Sequence, residues 1–258
     1  MLEAALLGIV QGLTEFLPIS SSAHLVIIPE IFGWEEKDGL FDLTVHGGTL
    51  FALLIVYRKQ IFKLAKERNG TFTNIAIATL PALFIGGLLV KYFETLKSIY
   101  LISFMLIVIG IPMIAVDFQK VTDQKKLEKT NSIRDISLKK TLIIGLAQTL
   151  AFMRGTSRSG ITIIAGKLCK LDNKTAVDFS FFLGIPIIAT GFLYGLIRLI
   201  GDQPTEISNS EILIGFLSSF LSGIIAIKLM LKTTERVGFK WFGFYRIILA
   251  VFLLIFVA

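Results

Sequence analysis

Six stretches of the chain, roughly 40–57, 72–90, 99–116, 179–200, 211–231 and 242–258, are each long and apolar enough to cross a lipid bilayer. In hydrocarbon every backbone N–H and C=O needs an internal partner, so a spanning chain folds as α-helices or as a closed barrel. Continuous apolar runs without alternation select helices. The composition agrees: of 258 residues 54% are hydrophobic and 22 are Phe, which excludes an ordinary soluble domain. The formal charge of +7 would suit a nucleic-acid partner, but the bases gather in a few loops, as membrane topology requires. No nucleic-acid partner is expected. The opening MLEAALLGIVQG has an acid at Glu3 and no small-residue cleavage site, so it does not read as a signal peptide. Cys169 is the sole cysteine, which rules out an intrachain disulfide.

Two further apolar regions, 4–33 and 141–171, are interrupted by polar residues. Pro18 and the run Ser20, Ser21, Ser22 break the first; RGTSRSG, residues 154–160, breaks the second. Loop charge decides how they sit. Loop 58–70 carries Arg58, Lys59, Lys63, Lys66 and Arg68, and the linker after 116 is equally basic, so both are expected on the cytoplasmic side. Segment 30–39 is mostly acidic, and 201–211 has no base. Alternation of the spans then makes 141–171 enter from the cytoplasm and return to it, and makes 1–38 dip from the outside. Only Lys37, Lys91, Lys97 and Arg198 fall outside on this plan.

A shift of 137 residues aligns the two broken regions without a gap: Gly8 with Gly145, Gln11 with Gln148, Ser20 with Ser157, Ser22 with Ser159. With one residue deleted, Asp42 meets Asp178 and Gly48 meets Gly184. Each half would be a re-entrant helical hairpin plus three transmembrane helices, and because three is odd the second copy inserts upside down. The expected fold is an all-α polytopic membrane protein with six spans and two re-entrant hairpins. It forms one integral membrane domain, 1–258, an inverted repeat of 1–116 and 138–258 joined by a basic cytoplasmic linker, 117–137. One polar tip comes from each face, the two are expected to meet, and Ser21 is the partner of Arg158 in this register.

The residue types at the tips suit phosphate chemistry. Each tip precedes a short apolar helix, about 24–33 and 161–170, whose N-terminal N–H groups attract anions. Arg158 and Arg154 add fork-shaped donors for phosphate oxygens. On the first tip Gln11 and Glu15 are four apart on one helical face, and Pro18 stops the helix before the serines. A carboxylate close to bound phosphates suits a divalent cation, and His24 can exchange protons near neutral pH. Plainer readings stand beside these. Ser22, Thr156 and Ser159 also serve as packing or capping residues, His46 as a satisfied structural donor, Arg154 as a brace, and Asp42 and Asp178 as helix N-caps. A structural Glu15–Arg158 ion pair fits less well, since charges inside membranes are costly and usually functional.

At these residues the chain resembles the undecaprenyl-diphosphatase family, bacterial membrane enzymes that recycle the lipid carrier of cell-wall synthesis. A (Glu/Gln)-x-x-x-Glu motif followed by Pro-x-Ser-Ser-x-x-His is matched by Gln11, Glu15, Pro18, Ser20, Ser21 and His24. A Pro-Gly-x-Ser-Arg-Ser-Gly-x-Thr motif is matched by Gly155, Ser157, Arg158, Ser159, Gly160 and Thr162, with Arg154 in place of the usual Pro. FDLTVHGGTL and DFSFFLGIP also look like the family, so the likeness runs over essentially the whole chain. The resemblance implies hydrolysis of undecaprenyl diphosphate to the monophosphate and inorganic phosphate, with a divalent cation, Mg or Ca, at a site open to the outer face of the bacterial plasma membrane. It further implies Ser21 as nucleophile, His24 as its base or leaving-group acid, and Glu15 with Gln11 as the metal or water-orienting groups. Arg158 would stabilise charge, and Ser20, Ser22, Arg154, Gly155, Thr156, Ser157, Ser159 and Thr162 would bind phosphate.

The residues alone do not choose between a phosphoserine intermediate and direct attack by water. A transporter or flippase of a prenyl phosphate lipid is the competing class, because paired re-entrant hairpins also serve alternating access. A receptor or structural role would need no charged tips at mid-membrane. The expected partners are a polyprenyl diphosphate lipid and the bilayer; a homodimer is left open.

Overall fold

The structure, a computed structural model, describes residues 1–35, 37, 39–67, 70–96, 98–118, 132–200, 207–234 and 237–257. The expectations placed on Lys97, Arg68 and the linker residues 119–131 lie outside them, as do the side chains of Lys91 and Arg198.

The described residues form ten α-helices and no strand. They are α1 (Leu2–Phe16), α2 (Ser21–Phe32), α3 (Gly39–Glu67), α4 (Thr71–Thr95), α5 (Ile99–Phe118), α6 (Leu138–Gln148), α7 (Arg158–Leu168), α8 (Asn173–Ile200), α9 (Asn209–Thr233) and α10 (Lys240–Phe256). Five of them, α3, α4, α5, α8 and α9, are long and apolar enough to cross a membrane. α10 has 17 residues, about 25 Å at 1.5 Å per residue. Phe84 and Leu88 on α4 and Ile248 and Ile255 on α10 are each at least 66% exposed. Apolar surface spread this widely can face only lipid. The protein is a multi-pass membrane protein.

The short helices start earlier than the pattern of apolar residues suggests, at Ser21 and Arg158. The serines and Arg158 therefore lie in a first helical turn, because Ser20 and Ser157 have taken the N-cap positions. α8 likewise begins at Asn173, where Asp172 Oδ1 accepts from Thr175 N at 3.0 Å. That corrects the N-cap expected at Asp178. Asp178 lies inside α8 and accepts from the Tyr57 hydroxyl at 2.6 Å.

Lipid does not drive helices together as water does, so close backbone approach must supply the contact energy. α9 has a face of small residues, Gly215, Ser219 and Gly223 at intervals of four, flanked by Ser218 and Ser222. Gly8 and Gly12 of α1 lie against this face, where a Cβ on either would meet backbone atoms of α9. Ser218 and Ser222 return their hydroxyls to Ile214 O and Ser218 O within α9, both at 2.7 Å, so the contact leaves no polar group stranded. α6 repeats the arrangement on α4, with Gly145 against the Ala78 backbone. The main apolar core then fills the centre. Phe16 packs edge-on to Phe181 with ring centres 5.3 Å apart, and Tyr57 packs on Phe181 and Phe182.

Polar ties gather at two ends. Lys37 bonds Glu3 at 3.1 Å and Glu211 at 3.2 Å, joining the starts of α1 and α9 to the α2–α3 connection. Partial burial works against the Lys37 charge, but its bonds to Glu3 and Glu211 outweigh this and hold its pKa above the usual value. At the other end Arg134, just before α6, bonds Glu67 of α3 at 2.9 Å. There too Asn173 bonds Thr234 O at 3.1 Å, and Asp117 at the foot of α5 accepts from Phe239 N and Lys240 N at the start of α10.

Gly12→Leu should drive α1 off α9 and destabilise the protein by about 1–3 kcal/mol. Gly87→Ala, whose Cβ meets nothing within 4 Å, should stay within about 0.5 kcal/mol of the parent. Thermal unfolding of the two variants in detergent reads the difference.

Candidate active site

Two breaks in helical backbone build the site. α1 ends at Phe16 because Leu17, preceding Pro18, is forced extended, with φ −77° and ψ 139°. Ser20 then turns the chain into α2 with φ 77° and ψ 90°. In the second break α6 ends at Gln148, a 3-10 turn covers Thr149–Phe152, and Met153 is extended. Gly155 has φ 92°, and Ser157 leads into α7 with φ 67° and ψ 113°. The aligned serines thus share one unusual conformation, in which a side chain is strained. They also share a partner: Ser20 Oγ lies 3.3 Å from Ser22 Oγ, and Ser157 Oγ lies 3.2 Å from Ser159 Oγ.

The breaks meet at Glu15, which is 7% exposed. Oε1 accepts from Arg158 Nη2 at 2.9 Å; Oε2 accepts from Ser21 Oγ at 2.7 Å and Gln11 Nε2 at 3.0 Å. Ser21 and Arg158, partners in the sequence register, therefore hold the two oxygens of one carboxylate. Ser159 Oγ adds bonds to the Glu15 and Leu17 carbonyls, both 3.3 Å, and Arg158 Nη1 donates to Ser180 O at 3.0 Å. A carboxylate this far from water persists only when each oxygen has strong donors.

The other expected residues fall at different distances from this centre. His24 faces away from Ser21. Its Nδ1 bonds Ser20 O at 2.7 Å, and since a carbonyl cannot donate, Nδ1 carries the proton; in the neutral ring Nε2 then accepts from the Tyr245 hydroxyl at 2.7 Å. His46 is held in the same way by Asp42 O at 2.6 Å, which fits the structural reading, yet its Nε2 lies 3.6 Å from Glu15 Oε2. Thr162 sits a turn below the tip, its hydroxyl within 2.8 Å of Arg158 O and 2.7 Å of Ser180 Oγ, so it braces α7 against α8. Thr156 is buried with its hydroxyl unpartnered among the described residues. Arg154 is half-buried and has no partner among the described residues. Gly155 runs so close to α5 that a Cβ would sit 2.6 Å from Ile102 O.

Sequence reasoning missed Tyr245, Arg246 and Ser180. All three lie inside apolar spans, and the one available signal was an arginine in the middle of α10, a costly placement in lipid. Metal-ligating side chains are sparse: no group of three or more His, Cys, Asp or Glu converges among the described residues. Gln11 Oε1, however, is buried without a partner among the described residues, beside the Glu15 carboxylate. Two oxygen donors suit a hard cation that takes its remaining ligands from water or phosphate, as Mg does. Together the site offers a hydroxyl on a carboxylate, a guanidinium beside it, and helix N-termini facing it. That combination can activate an oxygen nucleophile and neutralise an anionic group.

The family model described as bacitracin resistance protein BacA matches residues 4–252. The chain belongs to that family. Undecaprenyl-diphosphatase 1 of Pseudoalteromonas translucida is 38% identical over 270 residues, covering 99% of this chain and 98% of the relative. Undecaprenyl-diphosphatase of Persephonella marina is 37% identical, covering 100% and 99%. That of Pelotomaculum thermopropionicum is 40% identical, covering 95% and 92%. These alignments include both breaks of this BacA-family chain.

Gly155→Ala should place a strained side chain against Ile102 O, costing about 1–3 kcal/mol locally. Hydrogen–deuterium exchange should quicken at 153–160 while α9 keeps its protection; unchanged exchange at the break would contradict the close approach.

Proposed function

We propose that this protein hydrolyses undecaprenyl diphosphate to undecaprenyl monophosphate and inorganic phosphate, recycling the lipid carrier of peptidoglycan synthesis. The observation that carries the reading is the single carboxylate, Glu15, shared by Ser21 of one break and Arg158 of the other. The names of the full-length relatives point to the same reaction, and a transporter or flippase is not favoured.

In this mechanism Ser21 Oγ passes its proton to Glu15 and attacks the terminal phosphorus. The Oγ–P bond forms, the bond to the bridging oxygen breaks, and undecaprenyl monophosphate leaves. Water then cleaves the phosphoserine, giving inorganic phosphate and restoring the Ser21 hydroxyl. Arg158 and the N–H groups opening α2 and α7 neutralise charge on the transferring group. His24, its ring turned from Ser21 toward Ser20 O and the Tyr245 hydroxyl, takes no proton from Ser21 and leaves that role to Glu15. Ser157 and Ser159 hold the second tip; half-buried Ser22 is left to meet the phosphates, while Ser20, Gly155 and Thr156 are buried and shape the breaks. Gln11 Oε1 and Glu15 would hold a divalent cation, Mg or Ca, which when bound supplies positive charge against the diphosphate oxygens.

The architecture that goes with this is an inverted repeat of 1–116 and 138–258, six spans with two re-entrant hairpins, and a site opening on the outer face. The ties at the two ends support it. The α1 start, the α2–α3 connection and the α9 start share one end, while the α6 start, the α8 start and the α3, α5 and α9 ends share the other. On this reading the hairpin α1–α2 belongs with one face and α6–α7 with the opposite one. The matched conformations of Ser20 and Ser157 support the repeat independently.

Purified protein in detergent should release phosphate from a C55 prenyl diphosphate, and EDTA should abolish release. Ser21→Ala and Arg158→Ala should each lower kcat by about 100-fold or more. Absence of phosphate release from folded parent protein would sink the reading and return the weight to transport. In a Cys169→Ser background, a cysteine at Lys37 should label from outside the cell and one at Lys63 only after permeabilisation; the reverse pattern would refute the orientation.

A further inference from the structure

The guanidinium of Arg246 is fully buried in the middle of α10. It pairs with no carboxylate among the described residues and spends its donors on backbone carbonyls. Nη2 reaches Gly155 O at 2.6 Å, Thr156 O at 3.0 Å and Met105 O at 3.4 Å; Nη1 reaches Pro18 O at 3.2 Å; Nε reaches Leu106 O at 3.3 Å. One side chain therefore binds the first break, the second break and α5 at once. A close glycine contact makes the reach available: a Cβ on Gly243 would sit 2.7 Å from Gly110 O, so α10 lies tight along α5 one turn before Arg246.

Three of the carbonyls it holds, Pro18 O, Gly155 O and Thr156 O, lie in the breaks, where a helix no longer supplies N–H partners. Pro18 O precedes the turn that aims Ser21, and Gly155 O and Thr156 O precede the turn that aims Arg158. The second break also lacks the proline that stiffens this motif in the family it resembles, carrying Arg154 there instead. Its own backbone supplies short turns, Met153 N to Leu150 O and Thr156 N to Met153 O, both at 3.1 Å. Lysine could not substitute: an ammonium has three donors on a flexible stem, against five in a planar fork. Beside Arg246, the Tyr245 hydroxyl fixes the ring of His24, so consecutive residues of α10 hold both ends of the first break.

We propose that Arg246 is a positioning residue of the phosphatase site, holding the two breaks in register so that Ser21 and Arg158 share the Glu15 carboxylate. This rests on the proposed phosphatase reading. It acts through backbone alone and needs no contact with substrate.

The test compares Arg246→Met and Arg246→Lys with the parent protein in detergent. In Arg246→Met, kcat for a C55 prenyl diphosphate should fall about 100-fold, the size expected when reacting groups shift by roughly 1 Å, with KM within about threefold. Arg246→Lys should recover about tenfold at most. Hydrogen–deuterium exchange should rise at residues 17–21 and 153–158 together, while α3, α8 and α9 keep their protection. A general loss of structure would not produce that paired signature. Folded Arg246→Met with near-parental kcat, exchange unchanged at either break, or unfolding of both variants would overturn the proposal, the last because Arg246 would then be holding the whole fold. Parent protein that releases no phosphate would defeat the phosphatase reading instead, and the exchange measurement would still report whether Arg246 couples the breaks.

Discussion

A carboxylate placed inside a membrane needs donors on both oxygens, and Glu15 obtains them from both halves of the sequence. Ser21 and Gln11 lie within one turn or two of it, whereas Arg158 arrives from 143 residues away. This pairing ties two interrupted helices into one centre. Removing Arg158 would leave a buried charge unpaired, a larger penalty than the pair itself contributes. The surrounding structure follows from that demand. The breaks need carbonyl partners, the partners come from α10 and α7, and both helices must approach closely enough to deliver them.

Much of this was legible in the residues. Apolar runs located the spans, and the register aligned Ser20 with Ser157, which in the structure share a backbone conformation that neither serine would choose on its own. The register also brought Ser21 opposite Arg158, but it did not foretell the Glu15 carboxylate that joins them, because an ion pair between Glu15 and Arg158 is the poorer fit to the residues alone. What the sequence could not supply was direction. His24 stands three residues from Ser21 and looks like its base, but in the structure its ring is committed to Ser20 O and Tyr245. Nothing local to SSSAH encodes a tyrosine 221 residues away. Thr162 carried the same ambiguity: a hydroxyl in a phosphate motif, already saturated by the Arg158 carbonyl and Ser180.

The small-residue contacts and the polar centre are parts of one arrangement. Gly8 and Gly12 let α1 lie on α9, which fixes where the end of α1 presents Glu15; Gly145 does the same for α6 on α4. Phe16, adjacent to Glu15, packs on Phe181, next to the Ser180 that receives Arg158. Apolar packing thus sets the distance between the breaks, and hydrogen bonding sets their orientation.

The position of α10 in the chain has a consequence for biosynthesis. The groups that hold the breaks, Tyr245 and Arg246, reside on the tenth helix, while the residues they hold emerge from the ribosome far earlier. Until that helix inserts, Pro18, Gly155 and Thr156 present carbonyls without their common donor, and the two interrupted segments have no shared anchor. A nascent chain carrying every serine and arginine of the motifs would still lack the donor that ties its two breaks together, and that tie would arrive in a single late step.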